Sequence, residues 1–255
     1  MTDANTSSLP RLYVDSALTA GTSVAATEGQ SHYLLHVMRR GAGDEVAVFN
    51  GRDGEWSAVM DVVKKRHVSF TVHAQRRPQS AEPEIALLFA PLKAGPLEFL
   101  VEKATELGVS ALIPVITRRT VVNRINHRRL EAVAMEAAEQ CERLTVPSIA
   151  APRPLDEVLA EWAADQQRRL LFLDEGVARD GGATPIAAVL SGKDRFAAIL
   201  VGPEGGFAPD EQDFVRRQTY ITSVVLGPRI LRAETAALAA LSCWQALQGN
   251  ARGPG

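Results

Sequence analysis

The chain has 255 residues and a formal net charge of −2 at pH 7; 46% of its residues are hydrophobic and 23% are charged. A chain of this length can bury a sizeable core, as one large domain or two modest ones. The balanced charge excludes a strong overall attraction to nucleic acid or to membranes, so any such attraction has to come from local clusters of charge.

The first part of the chain is predicted to form a small, mostly β domain. Short strand-like segments cover residues 11–15, 45–50, 55–63 and 68–74. In the last of them Val68, Phe70, Val72 and Ala74 alternate with polar residues, which is the period of a half-buried strand. The segment NGRDGE (50–55) is a turn signal, and HYLLHVMRR (32–40) is a predicted helix.

The segment RRPQSAEPE (76–84) is polar, contains two prolines and is predicted to be a linker. Beyond it, apolar segments alternate with amphipathic helical patterns. The predicted strands are 85–91, 111–117, 169–175, 196–201 and 223–226, and the helical patterns cover 97–107, 130–141 and 236–247. This alternation predicts an α/β fold, with a mainly parallel sheet and helices on both of its faces.

One unusual loop follows the strand at 196–201 and reads Gly202-Pro203-Glu204-Gly205-Gly206. Ligands of open α/β sheets bind beyond the carboxyl ends of the strands, and glycines let a ligand approach the backbone closely. The loop is neither a Walker P-loop nor a GxGxxG motif, and Glu204 would repel a phosphate. It therefore favours a ligand with donors or positive charge. A tight turn with one solvated glutamate is the structural alternative.

A second unusual loop, LGPRILRAETAAL (226–238), follows the next predicted strand. Its apolar Ile230 and Leu231 are odd in a loop unless they cover something flat and apolar. A capped helix start beside a surface arginine pair is the structural alternative. Two ligand-like loops on consecutive strands favour a binding site over coincidence.

Positive charge is concentrated between Leu107 and Leu130, where the chain has no Asp or Glu but five arginines. A second, smaller cluster is Arg39-Arg40. Such patches attract polyanions even on a neutral protein. Each cluster taken alone is also explained as a solvated face.

The segments VGPEGGF and LGPRILRAETAAL together resemble the cofactor loops of the SPOUT methyltransferases, which are trefoil-knotted RNA methylases that depend on S-adenosylmethionine. In particular, the chain resembles the RsmE family, which methylates N3 of a uridine in the 16S ribosomal RNA of the small subunit. The segments RLYVD, HYLLHVMRRGAGDEVAVFNG, EKATELGVSALIPVITRRTV and ERLTVPSI resemble that family in the same order. The resemblance covers nearly the whole chain.

The resemblance implies two domains: a PUA-like RNA-binding β-barrel over residues 1–78, and a SPOUT-type α/β trefoil-knot methyltransferase domain over 79–255 that forms a homodimer. The chain departs from the family in two places. A polar, charged segment is usual before the KATELG helix, whereas this chain has Lys93 followed by Ala-Gly-Pro-Leu. Of a Ser-Gly-Arg segment that is common in the family, only Arg143 carries over.

The resemblance also implies S-adenosylmethionine as the cofactor, 16S rRNA or the small ribosomal subunit as the partner, and a set of site residues. The implied cofactor-binding residues are Leu173, Gly202, Pro203, Glu204, Gly205, Leu226, Gly227, Ile230, Leu231 and Thr235. A cation near the oxygens of uracil would stabilise the anion formed on loss of the N3 proton, which makes Arg232 and Arg143 catalytic candidates, with Glu234 as a candidate base. The candidate RNA contacts are Arg11, His36, Arg39, Arg40, Lys93, Arg118, Arg119 and Arg124.

Three other functions stay open. A non-catalytic ribosome-binding or assembly factor would keep the fold and transfer no methyl group. A SPOUT ribose 2′-O-methyltransferase would modify a different atom. A nucleotide enzyme with a Rossmann-like sheet is disfavoured, because the glycine fingerprint is missing.

The composition also predicts the compartment. Two cysteines, Cys141 and Cys243, are too few for a disulfide framework or a metal site. No apolar run approaches the roughly 20 residues that cross a bilayer, and the first residues, MTDANTSSLP, do not have the pattern of a secretion signal. We therefore expect a cytoplasmic protein with no metal and no membrane partner.

Overall fold

The computed structural model describes residues 9–63, 67–122, 124–164, 168–176 and 184–249, without the side chains of residues 62 and 63. The chain divides into two compact units. The first unit combines Met1–Ala81 with Ala138–Val146, and the second combines Glu82–Ala137 with Pro147–Gly255. Residues 138–146 therefore fold with the N-terminal part of the chain, although they lie far from it in sequence.

The first unit contains a curled five-stranded sheet. Its strands are β1 (Arg11–Tyr13), β2 (Ser23–Ala25), β3 (Glu45–Phe49), β4 (Glu55–Val63) and β5 (His67–Arg77), in the spatial order β1-β3-β4-β5-β2. Strands β3, β4 and β5 are antiparallel neighbours, and β1 runs parallel to β3. The alternation seen in the sequence is confirmed at Val68, Phe70 and Val72, which are buried between less buried neighbours, but not at Ala74, which is exposed because it lies in the exposed last part of the strand. Strand β5 extends into the segment predicted as a linker.

The helix of the first unit begins earlier than its apolar pattern predicted. Helix α1 (Glu28–His32) starts after Thr27, whose hydroxyl accepts from the Gln30 amide while the Gln30 side chain accepts from the Thr27 amide. This reciprocal cap fixes the start of a helix. A π-helical turn, Tyr33–Val37, continues it and buries Leu34 in the core.

A buried carboxylate ties residues 138–146 to this sheet. Glu55, whose side chain is 5% exposed, accepts from the guanidinium groups of Arg11 and Arg77. Arg11 also donates to the carbonyl oxygens of Ala138 at 2.9 Å and Arg143 at 2.6 Å. Burial opposes ionisation of Glu55, but the hydrogen bonds from the two arginines outweigh it and hold the pKa of Glu55 below its usual range.

The second unit contains a seven-stranded sheet with parallel pairing throughout. Its strands are β6 (Ala86–Phe89), β7 (Ala111–Ile116), β8 (Ser148–Ile149), β9 (Arg153–Pro154), β10 (Arg169–Leu173), β11 (Phe196–Val201) and β12 (Ile221–Val224). The spatial order is β12-β10-β11-β6-β7-β8, and β9 pairs with the far end of β7. The helices are α2 (Ala94–Glu106), α3 (His127–Gln140), α4 (Leu155–Ala163), α5 (Ile186–Leu190), α6 (Pro209–Arg216) and α7 (Ala233–Trp244), the last followed by a π-helical turn, Gln245–Gly249.

Helices cover both faces of this sheet, as the sequence predicted. Leu88, Phe172 and Leu200 share one core with residues of α4 and α6. Their strand neighbours Leu87 and Ile199 point to the opposite face and are also fully buried, where α7 packs against β11 and α2. Within the described parts of the chain, none of the helices is both long and apolar enough to cross a membrane.

Replacement of Glu55 by Gln tests the buried carboxylate. At pH 7 we expect the free energy of unfolding to fall by about 3 kcal/mol, because Arg11 keeps its buried charge and loses its partner. The contribution of the Glu55 carboxylate to the free energy of unfolding is fully present above the pKa of a glutamate in the unfolded chain, about 4.3. It is lost as the pH falls through the lower pKa of Glu55 in the folded protein. The wild type should therefore lose stability below pH 4.3 more steeply than Glu55→Gln in urea unfolding.

The matched control is Glu45→Gln, on the exposed end of β3. It should change the unfolding free energy by less than about 0.5 kcal/mol. Equal stability losses for the two variants would contradict the structural role of Glu55.

Candidate functional site

Three neighbouring strands of the second unit end at the same level. Leu173, the last residue of β10, pairs with Val224, the last residue of β12. On the other side of β10, Phe172 pairs with Leu200, so β11 ends beside them at Val201. Because the strands are parallel, their carboxyl ends lie along one edge. The structure thus places Leu173, the last residue of β10, at the same edge as the predicted cofactor residues that follow β11 and β12.

The first loop at this edge is a tight turn whose glycines have separate roles. Gly206 has a φ of 66°, and its amide donates to the Pro203 carbonyl oxygen at 2.8 Å. At Gly202 an added Cβ would lie 2.5 Å from the ring of Phe207, which stacks edge-on against Phe172. Glycine is therefore required at position 202 because the Phe207 ring packs against it, a reason that the sequence alone does not reveal. Glu204 is exposed at the tip.

The second loop exposes apolar surface at the same edge. Ile230 is 71% exposed, whereas Leu226 and Leu231 are partly buried. Gly227 has a φ of 130°, a conformation that favours glycine. Helix α7 starts after this loop, with Thr235 exposed in its first turn. The exposed isoleucine fits the expectation that this loop covers an apolar ligand.

Two of the three catalytic candidates lie where α7 begins. Arg232 is the residue before the helix, it is exposed, and its carbonyl oxygen accepts from the Ala236 amide at 2.8 Å. Glu234 lies in the first turn, where the helix dipole favours a carboxylate. One oxygen of Glu234, Oε2, is buried and has no hydrogen-bond partner among the described residues. Such an orphaned acceptor is rare in native proteins and marks a place for a donor.

Two of the candidate RNA contacts are attached to the first loop. Arg119 donates to the Gly205 carbonyl oxygen at 2.8 Å. The Arg118 amide donates to Glu211 at 2.7 Å, and its guanidinium pairs with Asp210 at the start of α6. The side chains of both arginines are exposed. They therefore position the loop as well as offering positive charge beside it.

The other two candidate RNA contacts of the second unit lie on its exposed surface. Lys93 is the residue before α2, and Arg124 precedes α3. Both are exposed.

The other candidates belong to the first unit. Arg11 is 8% exposed, and its guanidinium is engaged by Glu55 and by backbone carbonyls. We therefore assign it a structural role and leave it out of the RNA surface. The Arg143 side chain is partly buried and donates to Thr145 at 3.1 Å.

Three further candidate RNA contacts lie in the π-helical turn of the first unit and just after it. His36 and Arg39 are exposed, and Arg40 is partly exposed. The ring of His36 lies 4.9 Å from that of His32, between centroids. His36 is therefore a surface residue and not a packed core histidine.

One residue of the site edge was missed by the sequence analysis. Asp174 directly follows Leu173, is 2% exposed and binds Arg216 and Gln212 of α6. The available signal was a carboxylate immediately after a buried strand, in LFLDE, at an edge already expected to hold a ligand.

Comparison with known proteins assigns the chain to a family. Residues 79–245 match the model of an RNA methyltransferase domain, and residues 26–72 match that of an RNA methyltransferase PUA domain. The chain is 32% identical over 233 residues to the ribosomal RNA small subunit methyltransferase E of Rickettsia conorii, covering 91% of this chain and 93% of that protein. The chain belongs to the RsmE family of ribosomal RNA small subunit methyltransferases. The resemblance noted in the sequence is confirmed.

Other RsmE proteins agree with this assignment. The Bacillus subtilis methyltransferase E is 30% identical over 225 residues, which cover 85% of this chain and 87% of that protein. The structure of the Neisseria gonorrhoeae methyltransferase E, bound to S-adenosyl methionine, superposes with a TM-score of 0.83 at 26% identity, covering 96% of this chain and 100% of that one. The structure of a putative methyltransferase from Legionella pneumophila, in complex with the cofactor SAM, has a TM-score of 0.79 at 28% identity. The match covers 94% of this chain and 98% of that one. The predicted fold class is confirmed.

Substitution of Gly202 tests the packing of the first loop. We expect Gly202→Ala to lower the free energy of unfolding by about 1–3 kcal/mol, because the new methyl group forces the Phe207 ring out of a packed core. Gly205→Ala is the matched control, since its Cβ would meet only Arg119 at 3.8 Å, an ordinary contact. Thermal unfolding compares the two. Equal losses would show that the loop needs glycine for a reason other than Phe207.

Proposed function

We propose that this protein transfers the methyl group of S-adenosylmethionine to N3 of a uridine in the 16S rRNA of the small ribosomal subunit. The observation that carries the proposal is that the two family loops, 202–206 and 226–232, follow β11 and β12, the parallel strands on either side of β10, and so begin at the same carboxyl edge of the sheet. Membership of the RsmE family supports the reaction class. The S-adenosylmethionine held by the Neisseria and Legionella proteins supports the cofactor.

The residues at the edge fit this cofactor. Leu173, Leu226 and Leu231 are partly buried, and Ile230 is exposed beside them, so they offer apolar surface to an adenine ring. Backbone groups of Gly202, Pro203, Gly205 and Gly227, and the side chain of Thr235, offer polar contacts. The exposed Glu204 suits a cationic ligand and would repel a phosphate. When bound, S-adenosylmethionine supplies an electrophilic methyl group on a positively charged sulfur.

The chemistry at uracil requires two further groups. The N3–H is a weak acid and is normally paired, so the base has to be presented flipped or single-stranded. In the proposal the Glu234 carboxylate accepts the N3 proton, and Arg232 stabilises the negative charge left on the uracil oxygens. Positioning of the two reactants supplies most of the remaining rate enhancement.

The proposal assigns RNA binding to exposed cations on each unit. They are His36, Arg39 and Arg40 on the first unit, and Lys93, Arg118, Arg119 and Arg124 on the second. Contacts of this kind bind phosphates and set the position of the RNA, without reading its sequence. We also propose that the protein acts as a homodimer in the cytoplasm, where its ribosomal substrate is found.

The direct test is methyl transfer by the purified protein. Small subunits from cells that lack the protein are incubated with it and S-adenosylmethionine, and mass spectrometry of rRNA fragments maps the modified atom. The proposal predicts one new methyl group on a uracil N3. A methyl group on a ribose 2′-oxygen would identify the alternative SPOUT reaction, and binding without methylation would identify an assembly factor.

Replacement of Arg232 tests its assigned role. We expect Arg232→Ala to lower kcat by about 100-fold, the effect of removing one group that stabilises developing negative charge, with the Kd for S-adenosylmethionine nearly unchanged. Arg229→Ala, in the same exposed loop, is the matched control for lost surface charge. A single-turnover assay on small subunits measures the rate. If both variants retain the wild-type rate, Arg232 has no catalytic role.

A further inference from the structure

Asp174 lies one residue beyond the end of β10 and forms an ion pair with Arg216. Its carboxylate is fully buried and accepts hydrogen bonds from three residues of the second unit. The donors are Arg216 Nε at 2.7 Å and Nη2 at 2.9 Å, Gln212 Nε2 at 2.6 Å and the Gly176 amide at 3.0 Å. This is a bidentate, charge-assisted contact, the strongest class of side-chain hydrogen bonding.

The backbone of the same residue joins a second strand. The Asp174 amide donates to the carbonyl oxygen of Val224 at 3.0 Å. Val224 ends β12, directly before the loop that carries Leu226 to Leu231. Asp174 therefore fixes the end of β10 to the start of the second cofactor loop.

The Asp174 side chain fixes helix α6, which follows the first cofactor loop. Arg216 and Gln212 lie on α6, which begins at Pro209 just after the glycine turn. The other end of α6 is also held, because Glu211 accepts from the amides of Ala208 and Arg118. The first loop thus lies between β11 and a helix that is fixed at both ends.

The side chains that bind the carboxylate lie close to Gly176. A Cβ at Gly176 would lie 2.6 Å from Gln212 Nε2 and 2.8 Å from Arg216 Nη2. A larger residue at position 176 would therefore displace the ends of the Gln212 and Arg216 side chains that bind Asp174. The arrangement is a single packed unit of loop, carboxylate and helix.

We propose that Asp174 is a positioning residue that sets the spacing of the two cofactor loops and thereby the affinity for S-adenosylmethionine. This inference rests on the proposed function. Asp174 lies behind the loops, so it acts through Leu173, α6 and β12 and makes no contact with the cofactor. A displacement of about 1 Å in groups that position a reactant lowers activity by up to about 100-fold.

The test compares Asp174→Asn with Tyr220→Phe. Asn keeps the shape of the side chain but removes the negative charge that faces Arg216. Tyr220 lies at the opposite, amino end of β12, and its hydroxyl donates to the Leu159 carbonyl oxygen at 2.8 Å. Its loss removes a buried hydrogen bond of the same unit without touching the site edge.

Calorimetry with S-adenosylmethionine and thermal unfolding are measured on the full chain. We expect Asp174→Asn to raise the Kd and the KM for S-adenosylmethionine by about tenfold or more, and Tyr220→Phe to change them less than twofold at a comparable loss of melting temperature. Arg216→Lys keeps the charge but loses the bidentate geometry, and it should raise the Kd in the same direction. If Asp174→Asn fails to fold, Arg216→Lys tests the same contact in its place.

Two outcomes separate the claims. If the wild type binds S-adenosylmethionine and the Asp174 and Arg216 variants bind it equally well, the positioning role is overturned and the proposed function stands. If the wild type itself does not bind S-adenosylmethionine, the proposed function fails, and the positioning role fails with it.

Discussion

The shared register of β10, β11 and β12 is the constraint on which the site depends. Leu173 pairs with Val224, and Phe172 pairs with Leu200, so the three strands end at one level. A shift of one residue in either pair would separate the loops and also turn buried side chains toward the wrong face. Because both faces are covered by helices, the apolar residues of these strands resist such a shift. The core therefore fixes the geometry of the edge.

Packing and charge then fix the loops on that edge. Phe207 occupies the space beside Gly202, and its ring rests on Phe172 in the core. The buried carboxylate of Asp174, paired with Arg216, holds the helix that follows. Breaking such a pair by removing one partner leaves an uncompensated buried charge, so the sequence is constrained at positions that contact no ligand. The shape of the site is therefore determined by residues that pack behind its surface, such as Phe207 and Asp174.

The sequence predicted the strands of both units well, because their apolar and alternating patterns follow directly from burial. It also located both loops, since runs of glycine and apolar loop residues depart from ordinary surface composition. Strands β2, β8 and β9 and helices α4 and α5 were not predicted, and β8 and β9 have only two residues each. β2 has only three residues, and α4 was not singled out although Leu155, Val158, Leu159 and Trp162 of its apolar face are buried. Their placement depends on tertiary contacts that a local pattern does not contain.

The roles of individual charged residues were the hardest to predict. Arg11 and Arg118 have the same side chain, yet one is buried against Glu55 and the other lies exposed beside Asp210. Partners separated by 44 and 92 positions decide between these roles, and no sequence spacing gives them. Residues 138–146 are a similar case, because backbone carbonyls that accept from Arg11 join them to the first unit.

A crystal structure with S-adenosylhomocysteine tests the central claim most directly. The account predicts the ligand at the carboxyl edge of β10, β11 and β12, in contact with Gly202–Gly205 on one side and Leu226–Leu231 on the other. S-adenosylhomocysteine bound elsewhere, with both loops in solvent, would contradict it.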